Sequence, residues 1–337
     1  MRRLVTAVLA LALLAPAAGC GKTTVVRERP ITVTGDAGAG EAPDVPPGAV
    51  RIAVVTHGQA SSPFWAIVRN GVEAAARQMD VLVDYRAPDI YSLGRMKELI
   101  DRAVAGRPDG LVVSIPEPGL GPAIRRATAA GIPVVSINSG SDLFRRLGVL
   151  AHVGQPEERA GLLAGRRLAA AGVRRALCVN QQIGNQGLDD RCRGLERAMR
   201  QAGGVARVVG VDDQDPATAK RLANAIRGEH ADGLLTLNST SGAEAVQAVR
   251  SIGRAAAVKV ATFDLGPDVL HALEAGRLLF AVDQQAYLQG YLPIVMLAQR
   301  ARYGLFPAQG DVVATGPNFV TRADAGRALE LSKRSIR

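Results

Sequence analysis

Four short polar side chains occupy the same kind of place in this sequence: Asn138, Asn180, Asn238 and Asp264 each close a run of strand character. His57 ends a fifth run, the first in the body of the chain. Such groups suit hydroxyls, because an amide offers a donor and an acceptor in one plane and an ionised carboxylate accepts through two oxygens. Arg191 and Gln284 extend the polar set, and Phe64 and Trp65 add aromatic faces for the C–H surface of a ring. This inventory fits a polyhydroxylated ligand. Hydrogen bonds from Arg and to Asp are charge-assisted and roughly twice as strong as neutral ones. An amide that meets no partner costs about 1–3 kcal/mol, which lets such a site reject the wrong stereoisomer.

Any one of these residues is equally a turn former or a helix cap. Recurrence at four strand ends argues for a shared surface. Catalytic patterns do not appear: the sequence has no Gly-x-Ser-x-Gly elbow, no Gly-x-x-x-x-Gly-Lys loop and no strand-borne Gly-x-Gly-x-x-Gly. His230 and His271 have no nucleophile or carboxylate at a recognisable spacing. Four His and three Cys, all scattered, form no metal-ligand spacing. Neither an enzyme, nor a metal, nor a cofactor is expected, and His57 is read as a ligand-facing donor.

The elements that must position these groups alternate. Strands are predicted at 51–56, 81–85, 110–115, 133–137, 175–180, 205–211, 233–237, 258–263 and 278–283, with amphipathic Ala- and Arg-rich helices between them, such as 64–78 and 158–171. That alternation marks βαβ units and parallel sheets, and about nine strands point to two sheets. An internal repeat supports the division. The segment 109–138, "DGLVVSIPEPGLGPAIRRATAAGIPVVSIN", is echoed by 232–264, "DGLLTLNSTSGAEAVQAVRSIGRAAAVKVATFD". In both copies a strand headed by Asp-Gly leads through a helix to a second strand that ends on a short polar residue. The fold class is α/β, two Rossmann-like lobes. Ligands of open parallel sheets bind beyond the carboxyl ends of the strands, so two facing lobes would bring the strand-end residues to one cleft.

With 47% hydrophobic residues, 337 residues bury a substantial core. Residues 1–19 have the order of an export signal: Arg2 and Arg3, an apolar run too short for the roughly 20 residues of a membrane span, then small residues before Cys20. "APAAGC" (15–20) resembles a bacterial lipobox, in which Cys20 is lipidated, although Ala17 stands where Leu is more usual; simple secretion is the other reading. Residues 20–50, rich in Gly, Pro, Ala, Thr and charge, read as a tether, whose reach is on the order of 30 Å for some 30 flexible residues. Loss of the signal removes two arginines and no acid, so the net charge falls from +10 to +8. The charge is dispersed over helix faces, and nucleic acid is not an expected partner. In an exported chain Cys178 and Cys192 are open to a disulfide or are two apolar core thiols.

The pattern resembles the type I periplasmic sugar-binding proteins, the ribose-binding class of ABC-importer receptors. It is carried by "SSPFW" (61–65), "AGIPVVSIN" (130–138), "RCRG" (191–194), "TLNS" (236–239), "TFD" (262–264) and "FAVDQQAYLQGY" (280–291), in that order across about 51–330. The resemblance implies that Phe64 and Trp65 abut the sugar ring, and that Arg191, Asn238, Asp264 and Gln284 hold its hydroxyls. His57 stands where ribose binders carry a small polar residue, and Gln214 lies near the place of a second-lobe aromatic. Three hinge crossings are implied near 154–156, 284–286 and 312–314. They give a first lobe of 51–155 plus 285–313 and a second of 156–284 plus 314–330. The chain departs at Asn138-Ser139, where ribose binders carry Asp-Arg, so a ligand of different shape is expected: another pentose or hexose, or a polyol. Implied too are a membrane permease as partner, a monomer anchored through Cys20 outside the cytoplasm, and capture without chemistry. A receptor of the same fold that feeds a sensor kinase or chemoreceptor is the alternative.

Overall fold

Strands with apolar residues on both faces alternate with amphipathic helices, and the chain lays them into two sheets, each covered on both sides. The computed structural model describes residues 32–34, 48–58, 62–334 and 336–337; the expected signal segment, Cys20 and Ser61 lie outside them. Strands β1 (Thr32–Thr34), β2 (Arg51–Val55), β3 (Leu82–Arg86), β4 (Gly110–Ser114), β5 (Val134–Ile137), β6 (Ala151–Gly154) and β12 (Val312–Ala314) build the first sheet, in the order β1-β3-β2-β4-β5-β6-β12. The second contains β7 (Arg175–Asn180), β8 (Val205–Gly210), β9 (Gly233–Thr236), β10 (Lys259–Phe263), β11 (Ala281–Asp283) and β13 (Asn318–Val320), in the order β13-β11-β10-β9-β7-β8. Among the described residues all pairs are parallel except β11 with β13.

Central strands such as β4, buried along its whole length, read as continuous apolar runs because both faces meet helices. Helices α1 (Pro63–Gln78) and α9 (Ala286–Tyr303) cover one face of the first sheet, and α2 (Leu93–Ala105) and α3 (Gly121–Ala129) the other. In the second sheet α4 (Glu157–Ala170) and α5 (Gln186–Gln201) lie on one face, while α6 (Thr218–Gly228), α7 (Ser239–Ser251), α8 (Pro267–Glu274) and α10 (Arg322–Ser332) lie on the other. The α4–α5 crossing is close because it is glycine on glycine. A Cβ on Gly161 would stand 2.0 Å from the Arg191 carbonyl oxygen, and one on Gly194 2.1 Å from that of Glu158.

The nine predicted strands correspond to β2 to β5 and β7 to β11. Those absent from the sequence reading are four residues or fewer, too short to carry a period, and β6 also places a polar His152 in the core. Within the expected 20–50 tether, β1 pairs with β3, Thr32 opposite Asp84 and Thr34 opposite Arg86; consecutive β-branched residues favour extended backbone. The chain passes between the sheets at 155–156 and 284–285. Residues 312–314, expected as the third crossing, form β12 against His152 to Gly154, and the passage follows at 315–317. A three-residue edge strand and a linker look alike in sequence.

Candidate functional site

The carboxyl ends of the two sheets face each other across a cleft of about 700 Å³. His57 follows β2, Asn138 follows β5, Asn238 follows β9, Asp264 follows β10 and Gln284 follows β11; all five line the cleft, with Phe64 and Trp65 from the start of α1, Arg191 from α5, and Gln214. Asn138 and Asp264, the ends of the two repeat copies, share a left-handed backbone, with φ of 60° and 65°. Asn and Asp tolerate that conformation best among residues with a side chain. The turn carries each side chain from the sheet edge into the cleft.

Gln284 ties the floor together. Its Nε2 donates to Asp264 Oδ1 at 2.6 Å, and its Oε1 accepts from Asn138 Nδ2 at 3.3 Å, Gln289 Nε2 at 3.1 Å and Arg191 Nη2 at 3.4 Å. Gln289 also donates to Thr315 Oγ1 at 3.2 Å, so the second and third crossings share one network. Arg191 lies over the Phe263 ring, 4.3 Å from its centroid, and forms a bidentate pair with Glu157, Nε to Oε2 at 2.6 Å and Nη2 to Oε1 at 3.0 Å. Burial lowers the guanidinium, but Glu157 more than offsets this and holds Arg191 above its ordinary value. Burial also pushes the Glu157 carboxyl up, against Arg191. Both of its oxygens accept from the guanidinium, and we read the pair as ionised. Asp264 is pushed up to about 6 by burial, with Arg191 and the Gln284 bond opposing.

The first-lobe wall is aromatic. Phe64 and Trp65 meet edge to face at 5.2 Å, and the His57 ring meets Trp65 at 4.9 Å and Tyr91 at 6.0 Å. Gly58 makes room for the indole, since a Cβ there would lie 1.7 Å from Trp65 Nε1. Burial lowers the His57 pKa to about 3, which leaves a neutral ring too weakly basic for proton abstraction near pH 7. Its tautomer follows from its neighbours. The Asn185 amide is oriented by Gly187 N–H donating to its Oδ1 at 3.1 Å, so Asn185 Nδ2 points at His57 Nε2, 3.4 Å away. Nε2 is therefore an acceptor and Nδ1–H faces Ser114 Oγ at 2.9 Å, so His57 lines the cleft without being the ligand-facing donor expected from the sequence, because the only N–H of the neutral ring is held by Ser114.

Asn180 is absent from the cleft. It donates to Asp189 Oδ1 at 2.9 Å and accepts from Gln182 N–H at 2.8 Å, fixing the turn between β7 and α5. Asn238 both lines the cleft and caps α7: its Oδ1 accepts from Ser241 N–H at 2.8 Å and its Nδ2 donates to Asp213 at 2.8 Å. Ser139 is more than a turn residue, because its hydroxyl lies 3.1 Å from Asn138 Oδ1 and 3.2 Å from Asn185 Oδ1, across the cleft, with one hydrogen shared between the two acceptors. The backbone repeats the crossing where Gln186 N–H donates to the Pro116 carbonyl at 2.8 Å. Cys178 and Cys192 form a disulfide between β7 and α5, one residue from Arg191. Sequence reasoning missed Glu157, Asn185 and Tyr91, whose hydroxyl donates to Glu117. Only Asn185 left a signal, as an Asn just ahead of a helical stretch.

Residues 52–304 match the family model of the periplasmic binding protein domain. The chain belongs to the type I periplasmic sugar-binding proteins. Among solved members, a carbohydrate transporter from Acidothermus cellulolyticus 11B in complex with myo-inositol is 34% identical, with a TM-score of 0.80 over 86% of this chain and 100% of that one. The D-ribose/D-allose-binding protein of Pseudomonas aeruginosa is 27% identical over 75% of this chain and 82% of its own. A xylose/arabinose-binding protein of Sulfolobus acidocaldarius is 23% identical over 81% of this chain and 71% of its own. Two mostly parallel sheets with interleaved helices are the architecture of this family.

Proposed function

We propose that this type I periplasmic sugar-binding protein captures one neutral cyclitol or monosaccharide between its lobes and hands the closed complex to an ABC permease. The observation that carries this is the cleft floor, where Asp264, Arg191, Asn138 and Gln284 form one hydrogen-bonded or charge-coupled group facing the rings of Phe64 and Trp65. Those are the acceptors, donors and apolar face that a polyhydroxylated ring requires. The 34% identical neighbour with myo-inositol supports a cyclitol. Asn138-Ser139 supports an uncharged ligand, since both residues offer neutral hydrogen-bonding groups at that first-lobe strand end.

The ligand's hydroxyls would bridge Asn138 of the first lobe to Asp264, Arg191 and Asn238 of the second, so binding favours closure. We assign 51–154 with 286–314 to the first lobe and 157–283 with 318–332 to the second. Family membership places the working protein outside the cytoplasm, and we assign Cys20 as its lipid anchor, the monomer as its working form, and no chemistry to the cleft. The test is a thermal-shift panel of myo-inositol, D-ribose, D-xylose, D-glucose and D-arabinose. A concentration-dependent rise in Tm with at least one is expected. No rise with any of them rejects the assignment.

A further inference from the structure

One buried acid has no place in the binding inventory. Glu157 does not line the cleft, yet it is 3% exposed, opens α4 directly after the first crossing, and meets Arg191, itself 2% exposed, 34 positions along the chain. A guanidinium has five N–H bonds. Here Nε and Nη2 each give one to Glu157, Nη2 gives its other to Gln284 Oε1, and Nη1 gives one to the Leu237 carbonyl at 3.2 Å. Among the described residues these partners leave a single Nη1–H for a ligand. Gln155 Nε2 donates to Glu157 Oε2 at 2.9 Å and helps fix the carboxylate.

Carboxylate and phosphate ligands are held by two parallel bonds from an arginine fork together with its net charge. Neither is on offer. The fork is taken, and Arg191 with Glu157 and Asp264 sums to one negative charge at the floor, with Asp212 and Asp213 on the second-lobe wall. We propose that Glu157 is a specificity-determining residue that, by claiming the fork of Arg191, holds the cleft to uncharged polyols and keeps sugar acids and sugar phosphates out. Arg191 thus serves as a neutralised, single-bond donor to a hydroxyl. The inference rests on the polyol-binding reading above.

The test is isothermal titration of wild type, Glu157→Gln and Glu157→Asp with two neutral probes, myo-inositol and D-glucose, and two anionic ones, D-glucuronate and myo-inositol 1-phosphate. Wild type is expected to bind a neutral probe and to bind the anionic probes at least about tenfold more weakly, the scale of burying like charges together. Glu157→Gln, which raises the floor by one positive charge while Asp264 remains as counter-ion, is expected to narrow that ratio by about tenfold or more. Glu157→Asp keeps the charge and is expected to keep the ratio, which a merely structural role for Glu157 does not predict. If Glu157→Gln fails to fold, Glu157→Asp carries the test, and its acceptance of D-glucuronate overturns the proposal. Equal binding of D-glucose and D-glucuronate by wild type, or an unchanged ratio in Glu157→Gln, also overturns it while the polyol reading stands. If wild type refuses both neutral probes, the neutral sugar that raises Tm in the panel above takes their place; no response to the whole panel overturns that reading, and this proposal with it.

Discussion

Replacing Asp264 by Asn is expected to move binding and apo stability in opposite directions. In the cleft the change removes a charged acceptor, and a hydrogen bond to a charged group is worth about 1.5–3 kcal/mol, so affinity should fall by about 10- to 100-fold. The apo protein should gain. The carboxyl is 8% exposed and its pKa is raised from 3.8 to about 6, burial being the largest cause. A group whose folded pKa is raised binds more protons folded than unfolded between those values. Stability therefore falls as pH climbs from about 4 to about 6, and the whole penalty is present at pH 7. That rise corresponds to about 3 kcal/mol, which the amide is spared, while its Oδ1 still accepts from Gln284. Scanning fluorimetry separates the two effects. At ligand concentrations of 100 Kd wild type gains about 2.7 kcal/mol, and a hundredfold loss of affinity reduces the gain to about 0.4. The expected record is a higher apo Tm at pH 7, no higher at pH 4, and little ligand-induced shift. A variant that keeps the full shift, or whose apo Tm drops at pH 7, refutes the placement of Asp264.

Wild-type affinity for the bound polyol should weaken as pH is lowered through about 6, because protonation of Asp264 removes an acceptor; His57, held near 3, adds no step above pH 4 in a titration calorimetry series. Arg191→Ala should lose binding and also destabilise the apo protein by about 3–5 kcal/mol in denaturant melts, since it strands the buried Glu157 carboxylate. Asn180→Ala should leave polyol affinity unchanged and lower stability by about 1–3 kcal/mol, because its amide serves the turn and not the cleft. Gly58→Ala should displace the only tryptophan of the chain, which shifts its emission maximum and weakens binding about 3- to 10-fold, since a lost aromatic contact is worth about 0.5–1.5 kcal/mol.

Most of the frame was legible because burial on two faces writes parallel strands as unbroken apolar runs, and the Asp-Gly repeat located their matching ends. Asn138 and Asp264 were legible for the same reason, each ending its copy of the repeat. Asn180 sits at an equivalent strand end and serves a turn, a distinction made by Gln182 in the following loop and Asp189 in the first turn of α5, neither of which carries a periodic signal. Glu157 was invisible, since its only relation to Arg191 is the glycine-mediated closeness of α4 and α5. The short strands β6, β12 and β13 escaped because pairing, and not composition, makes them strands.

One neutral polyol in the cleft would lie against Trp65, which lines it. The most direct measurement is the intrinsic fluorescence of that single tryptophan during titration with myo-inositol and the monosaccharide panel. A saturable change at one-to-one stoichiometry with at least one neutral polyol, absent in Asp264→Asn at the same concentrations, is the result expected. A flat response to every polyol from a protein that melts cooperatively contradicts it.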